Sequence, residues 1–103
     1  MTPEILDASR LEAHQKLFVV MKMAGKPKKG RPRVKFTAYS LKAASIAVVN
    51  EIESKGYRTA ECLGALVFDA VDWPRRIACI HFNGRVYEDA PAEWGPWLPD
   101  GPS

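Results

Sequence analysis

The sequence lacks long hydrophobic runs and has few cysteines, and both shortages exclude classes of protein. The longest apolar stretches, such as residues 65–68, are far shorter than the roughly 20 residues of a membrane-spanning helix. No basic stretch followed by an apolar one marks a secretory signal near the N-terminus. The two cysteines, Cys62 and Cys79, have no Cys-x-x-Cys spacing, so they indicate neither a disulfide framework nor a complete zinc site. We expect a cytoplasmic protein that does not associate with membranes.

Recognisable catalytic motifs are also missing. The sequence contains neither Gly-x-Ser-x-Gly nor His-Glu-x-x-His. Its close acid pairs, Asp69 with Asp72 and Glu88 with Asp89, stand at the ends of predicted elements, where solvated carboxylates are common. A hydrolase needs a nucleophile with a base, or two carboxylates on one rigid surface. We therefore predict that the protein is not an enzyme and uses no cofactor.

Gly25 and Gly30 have the spacing of a phosphate-binding loop, but the rest of that motif is absent. Arg31 and Pro32 stand where the motif requires Lys and Ser or Thr, so no hydroxyl is available for magnesium. Proline also removes a backbone N–H group that would bind phosphate. We do not expect nucleotide hydrolysis.

A metal site has weak support in the sequence. Cys79 and His81 lie two positions apart on a predicted strand and face the same side, and Cys62 or His14 would have to complete the ligand set. Nothing in the spacing requires this arrangement, because buried cysteine is most often a small hydrophobic residue. We predict no bound metal.

The composition is that of one folded domain. Of the 103 residues, 47% are hydrophobic and 26% are charged, which is ordinary for a globular protein and too apolar for a disordered chain. A chain of this length accommodates one core. We predict a single α+β domain at residues 16–90, with a helical or irregular segment at 1–15 and an irregular tail rich in proline and tryptophan at 91–103.

Helical signals occur at two places. Residues 2–4 combine a capping threonine, a proline and an acid, which favours a short helix that ends near Ala13. The main helix begins after Ser40, a candidate N-cap, and ends at Gly56, which suits the left-handed C-cap position. Between these two residues, apolar side chains recur at spacings of three and four: Leu41, Ala44, Val48 and Ile52.

Strand patterns fill most of the remaining chain. Residues 16–23 have one apolar face and one mixed face, and residues 33–39 alternate apolar and polar side chains more cleanly. The two should pair as a hairpin around a basic loop. A third strand is predicted at residues 58–63, whereas residues 64–71 fit either a strand or a helical turn.

A second hairpin is predicted near the C-terminus. Residues 76–82 and 85–87 flank Asn83-Gly84, the strongest short-range signal for a two-residue type I′ turn. Together, these elements predict an α+β fold: a small antiparallel sheet of four to five strands, with one main helix packed on one face.

Positive charge is concentrated in one part of the chain. Residues 22–35, called the basic segment below, contain seven cations and no acid, whereas the rest of the chain is net acidic. The candidate binding residues are Lys22, Lys26, Lys28, Lys29, Arg31, Arg33, Lys35 and Tyr39. So many cations favour a negatively charged target, and an aromatic ring that shares a strand face with them is able to stack on exposed bases. An ordinary solvent-facing sheet surface is the alternative.

Within the basic segment, residues 28–33 have the sequence Lys-Lys-Gly-Arg-Pro-Arg. This resembles the AT-hook, a short DNA-binding motif whose core is Gly-Arg-Pro flanked by basic residues. The resemblance implies an extended backbone in the narrow minor groove of A·T-rich DNA, with Arg31 as the inserted side chain. General phosphate contact by the same loop, or a loop that is only solvated, are the alternatives.

Two functions are consistent with these features. One is a nucleic-acid-binding accessory protein, and the other is an inhibitor or adaptor that contacts a protein partner. In size, absence of catalytic motifs and order of hairpin, helix and strands, the chain is similar to small phage and mobile-element proteins such as anti-CRISPR proteins, which block nucleoprotein complexes by occupying their surfaces. The resemblance implies a nucleoprotein complex or an acidic protein surface as partner. The oligomeric state stays open.

Aromatic residues gather towards the C-terminus beside acids and prolines. They are Trp73, Tyr87, Trp94 and Trp97. In a domain this small, we expect the indoles to complete the core. A docking surface is the alternative, since tryptophan is enriched in interface hot spots.

Overall fold

The computed structural model describes residues 4–24, 34–72, 75–91 and 94. Within these ranges, five strands form one antiparallel sheet in the order β2-β1-β3-β4-β5, which confirms the predicted α+β class. The elements are α1 (Ala8–Glu12), β1 (Leu17–Met23), β2 (Phe36–Ala38), α2 (Leu41–Lys55), β3 (Cys62–Asp69), β4 (Arg76–His81) and β5 (Val86–Tyr87). No helix in these ranges is long and apolar enough to cross a membrane.

The first predicted hairpin is confirmed, although its second strand is shorter than expected. β1 and β2 pair antiparallel, with Leu17 opposite Ala38 and Val19 opposite Phe36. The alternation of β1 places Leu17 and Val19 in the core beneath α2. β2 spans three residues. It ends early because the chain turns at Ser40 into α2.

The main helix follows its sequence signals closely. The Ser40 hydroxyl accepts a hydrogen bond from the Ala43 N–H at 3.0 Å, as an N-cap does. The buried positions of α2 are the predicted stripe of Leu41, Ala44, Val48 and Ile52. Sequence periodicity therefore determined which face of α2 packs on the sheet.

The C-terminus of α2 is a Schellman cap. Gly56 has a φ of 66°, in the left-handed region. Its N–H donates to the Glu53 carbonyl at 3.3 Å, and the Tyr57 N–H donates to the Ile52 carbonyl at 3.1 Å. This is the 5→2 and 6→1 pair of bonds that defines the motif.

The third strand begins later than predicted and extends further. β3 starts at Cys62 rather than Arg58, because residues 58–61 form a turn in which the Cys62 N–H bonds the Arg58 carbonyl at 3.0 Å. The ambiguous residues 64–71 are mostly strand, since β3 continues to Asp69. β3 is the central strand and is covered on both faces, so its apolar run shows no alternation.

The second hairpin is present, but its predicted turn type is wrong. The Gly84 N–H donates to the His81 carbonyl at 2.8 Å, and Gly84 has a φ of 89°. Among the described residues only glycines have positive φ, so Asn83 does not adopt the type I′ conformation. The loop at residues 82–84 is instead a three-residue connection with a left-handed glycine at its end.

Packing against α2 accounts for this choice of turn. The Ser45 hydroxyl donates to the Gly84 carbonyl at 2.5 Å. A Cβ atom on Gly84 would lie 2.9 Å from the Val49 Cγ2 atom. The hairpin loop therefore packs directly on α2, and the three-residue connection is the turn that allows this contact.

The N-terminal segment contributes a sheet contact before its helix. Glu4 forms an isolated bridge with Tyr87, and the Ile5 N–H donates to the Val86 carbonyl at 2.7 Å. The short helix α1 follows, capped by Asp7 rather than by residues 2–4 as predicted, because the Asp7 carboxylate accepts from the Ser9 N–H at 2.9 Å. Residues 2 and 3 lie outside the described ranges.

Both faces of the sheet carry hydrophobic layers. The layer under α2 includes Val19, Val67 and Ile80. The layer on the opposite face includes Leu66, Phe68, Cys79 and Trp94. Trp94 is only 8% exposed, which confirms for this residue the expectation that an indole completes the core. Trp73 and Trp97 lie outside the described residues.

Candidate nucleic-acid interface

The basic segment connects two strands at one end of the sheet. β1 ends at Met23, which pairs with Cys62, and one row further in, Gly64 pairs with His81. We call this end of the strands, together with the turn at 58–61 and the hairpin loop at 82–84, the distal end. The Ala24 N–H donates to the Glu61 carbonyl at 2.9 Å, so the segment leaves the sheet beside that turn.

The structure describes only part of the predicted site. Five of its cations lie outside the described residues, namely Lys26, Lys28, Lys29, Arg31 and Arg33. Their predicted roles stay predictions. The described members are Lys22, Lys35 and Tyr39, and they do not form one group.

Lys22 lies on the face of the sheet opposite α2. Alternation along β1 places its side chain on the same face as Phe18 and Val20, both of which belong to the hydrophobic layer away from the helix. In the ladder, Lys22 pairs with Gly64, and Gly64 pairs with His81. A cation and an imidazole therefore flank a glycine in one row at the distal end.

Lys35 and Tyr39 each contact a different part of the fold. The Lys35 ammonium forms an ion pair with the Glu51 carboxylate of α2 at 3.0 Å. The ring of Tyr39, at the other end of β2, stacks on His14 with centroids 5.8 Å apart.

Gly64 is the residue of the central strand that the sequence interpretation missed. It has a φ of 140°, and a Cβ atom there would lie 2.0 Å from the Ile80 carbonyl oxygen. Glycine is therefore required, and the row between Lys22 and His81 carries no side chain at its centre. The signal for this feature was an isolated glycine within an apolar strand pattern.

A groove of about 340 Å³ opens at the distal end. Its lining includes Thr59, Leu63, His81, Asn83, Pro91 and Trp94. The His81 ring lies between two aromatic neighbours, with its centroid 4.1 Å from that of Tyr87 and 5.4 Å from that of Trp94. The lining residues come from three separate parts of the chain, so no local motif predicts the groove.

The cysteines and histidines do not assemble a metal site. Cys62 lies in the layer under α2, whereas Cys79 lies in the layer on the opposite face. Across the described ranges, no three His, Cys, Asp or Glu side chains are grouped as metal ligands. Burial raises the pKa of the Cys79 thiol to about 11 and also raises the pKa of Cys62, so both thiols are protonated at neutral pH.

The opposite end of the sheet has a different electrostatic character. There, a polar cleft of about 520 Å³ contains arginines and acids that pair with one another. Arg10 pairs with Glu88, and Arg76 pairs with Asp89 at 3.4 Å. We call this edge the proximal end. Its cations are paired with neighbouring carboxylates, unlike the acid-free run of the basic segment.

The acid pairs considered for catalysis have structural partners at the proximal end. One Asp69 oxygen accepts hydrogen bonds from the Val71 N–H at 2.8 Å and the Asp72 N–H at 3.3 Å, which is the geometry of a turn. Glu88 and Asp89 are engaged by arginines. Asp69, Glu88 and Asp89 therefore all have hydrogen-bond or ion-pair partners in the fold.

Comparison with known proteins gave no match: no family model, no curated protein and no solved structure corresponds to the chain.

Proposed function

We propose that the protein is a non-enzymatic binding protein that uses the basic segment to engage nucleic acid or a nucleoprotein complex. The observation that carries this proposal is the position of the segment, which joins β1 to β2 at the distal end. The paired strands anchor both ends of a run with seven cations and no acid. A concentrated positive charge on a rigid base is suited to a phosphate backbone.

The expected affinity is modest and sensitive to salt. Lys35 already has a carboxylate partner, so fewer than all seven cations are available for phosphates. If three or four of them contact phosphates, the slope of log affinity against log salt is about −3. Binding of this kind is read most clearly at low ionic strength.

An alternative function is direct contact with a protein partner, as an inhibitor or adaptor of the anti-CRISPR type. One observation favours it. Met23 and Val34, which stand close to the two ends of the basic segment, are 40% and 39% exposed. Apolar side chains beside cations fit a protein surface that combines acids with an apolar patch.

Substitution of Lys28, Lys29, Arg31 and Arg33 together by glutamine tests the main proposal. We expect loss of at least tenfold in affinity for nucleic acid at low salt and a shallower salt slope, because phosphate contacts are removed. Electrophoretic shift assays over a salt series, with duplex and single-stranded probes, provide the measurement.

A second variant with the same change in net charge tests whether a loss of affinity comes from the basic segment or only from the lower charge of the protein. It carries glutamine at Lys16, Lys42, Arg10 and Arg75, four exposed cations of the proximal end. We expect it to bind nearly as well as the unchanged protein. Equal losses in both variants, or no binding by the unchanged protein at low salt, would contradict the proposal. Capture of a protein partner that persists after nuclease treatment would support the alternative instead.

A further inference from the structure

The hairpin loop between β4 and β5 carries the only Asn-Gly sequence of the chain, at Asn83 and Gly84. This pair is chemically labile, because glycine presents its backbone nitrogen without a side chain to shield it. The nitrogen is able to attack the carbonyl carbon of the preceding asparagine side chain, and a succinimide ring results. Asn83 is exposed, so water reaches the reacting groups.

The reaction converts an amide into an acid and consumes only water. The Gly84 nitrogen gives up its proton to solvent and bonds to the Asn83 Cγ atom, while the bond from Cγ to Nδ2 breaks and ammonia leaves with a proton from solvent. Water then opens the succinimide ring. Cleavage at Cγ gives aspartate, and cleavage at the Asn83 main-chain carbonyl carbon gives isoaspartate. Either product carries a negative charge where the asparagine side chain was neutral.

The fold prepares the carbonyl that is attacked. The Asn83 side-chain oxygen accepts a hydrogen bond from the Arg85 N–H at 3.0 Å. A donor at this oxygen polarises the carboxamide, and it stabilises the negative charge that develops on the oxygen when the nitrogen attacks. The electrophile is therefore oriented and activated in the folded protein.

The fold restrains the nitrogen that attacks. The Gly84 N–H donates to the His81 carbonyl at 2.8 Å, and a backbone carbonyl is not a base that removes the proton. The loop is also packed on α2. The Ser45 hydroxyl donates to the Gly84 carbonyl at 2.5 Å, and a Cβ atom on Gly84 would lie 2.9 Å from the Val49 Cγ2 atom. The nitrogen becomes available for attack only when these contacts open.

We propose that Asn83 is a deamidation site and that packing of the hairpin loop on α2 controls its rate. Deamidation proceeds from a locally opened state in which the hydrogen bonds of Gly84 are broken, so the rate follows the population of that state. A larger residue at position 84 would meet Val49, so the packing on α2 requires the same residue that makes Asn83 labile. The inference is independent of the proposed function.

The first test compares the folded protein with the chain unfolded in urea, at one pH and temperature. Peptide mapping by mass spectrometry follows the conversion of Asn83 to its acid forms. Asn50, which lies in α2 and precedes Glu51, is the internal control, because the Glu51 side chain shields the attacking nitrogen. We expect Asn83 to react faster than Asn50 in the unfolded chain.

In the folded protein, we expect Asn83 to react at least about tenfold more slowly than in the unfolded chain, because two hydrogen bonds of Gly84 must break first. Equal rates at Asn83 in the two states would overturn the inference. So would a rate at Asn83 no higher than that at Asn50 in the unfolded chain.

The second test loosens the loop without a change in charge. Ser45→Ala removes the hydroxyl that bonds the Gly84 carbonyl. It should speed deamidation of the folded protein by about fivefold, the effect of one hydrogen bond on the opening equilibrium. Gly56→Ala is the matched control, because it destabilises the C-terminus of α2 through its backbone and leaves the contacts of the loop in place. We expect this control to react at the rate of the unchanged protein.

The outcomes separate local opening from global unfolding. Acceleration in Ser45→Ala alone supports control by the loop. Equal acceleration in both variants would show that the whole domain must unfold first, and no acceleration in Ser45→Ala would show that the contact with α2 has no influence on the rate. Either of these results overturns the inference. Urea midpoints of the two variants establish that each is folded during the assay.

Discussion

Three glycines among the described residues adopt positive φ, and they differ in how much space surrounds the position of an added Cβ atom. At Gly56 a Cβ atom would have nothing within 4 Å, so the left-handed backbone is the main constraint. At Gly64 the Cβ position overlaps the Ile80 carbonyl oxygen. The first glycine ends a helix, whereas the second allows two strands to approach each other closely.

We therefore expect unequal costs for the same substitution. Gly56→Ala should lower the free energy of unfolding by about 1 kcal/mol, the cost of a left-handed alanine. Gly64→Ala should lower it by about 3 kcal/mol or more, because strain and a backbone clash combine. Urea unfolding followed by circular dichroism measures both. Similar midpoints for the two variants would contradict the close approach of β3 and β4.

At the scale of the element, α2 is the part of the fold that depends most on its own sequence. Its cap, its buried stripe and its terminal glycine all lie where local rules place them. Its contacts with residues distant in the chain do not follow from these local rules. Ser45 bonds the hairpin loop at Gly84, and Glu51 bonds Lys35 at the start of β2. Neither contact is visible in the periodicity of the helix.

The N-cap provides an element-scale prediction. Ser40→Ala removes the acceptor of the Ala43 N–H and should lower the free energy of unfolding by about 1 kcal/mol. Ser54→Ala is the matched control, because the exposed Ser54 hydroxyl only donates to the Glu51 carbonyl within the helix. Urea midpoints should fall for the first variant and stay unchanged or rise for the second. A reversed order would argue against the capping role of Ser40.

At the scale of the whole molecule, a five-stranded sheet has one face covered by α2 and the other by a second apolar layer. Trp94 belongs to that second layer and lies against His81, which also lines the groove. The C-terminal part of the chain thus serves the core and borders the groove at the distal end. Arginines at the proximal end pair with acids, whereas the basic segment, which leaves the sheet at the distal end, contains no acid.

Removal of the Trp94 indole tests the contribution of this second layer. Trp94→Ala should lower the free energy of unfolding by about 3 kcal/mol, as expected for a buried aromatic residue. Ile46→Ala is the control, since Ile46 is 53% exposed on α2 and should change stability by less than about 0.5 kcal/mol. Denaturant titration of both variants provides the comparison. A negligible effect at Trp94 would show that the layer is dispensable.

The sequence by itself determined the features that depend on neighbours along the chain. The stripe and caps of α2, the alternation of β1 and the charge of the basic segment follow from spacing and composition, because a helix turn or a strand face involves residues a few positions apart. The predicted fold class followed from the order of these elements.

Only the tertiary structure decided the features that join remote residues. Contact of Gly84 with α2 selected the hairpin turn, and coverage on both faces removed the alternation from β3. The Lys35–Glu51 ion pair joined the start of β2 to α2. The groove exists because strands β3 and β4, a turn and Trp94 converge at one edge. Such convergence depends on long-range packing, which no local pattern encodes.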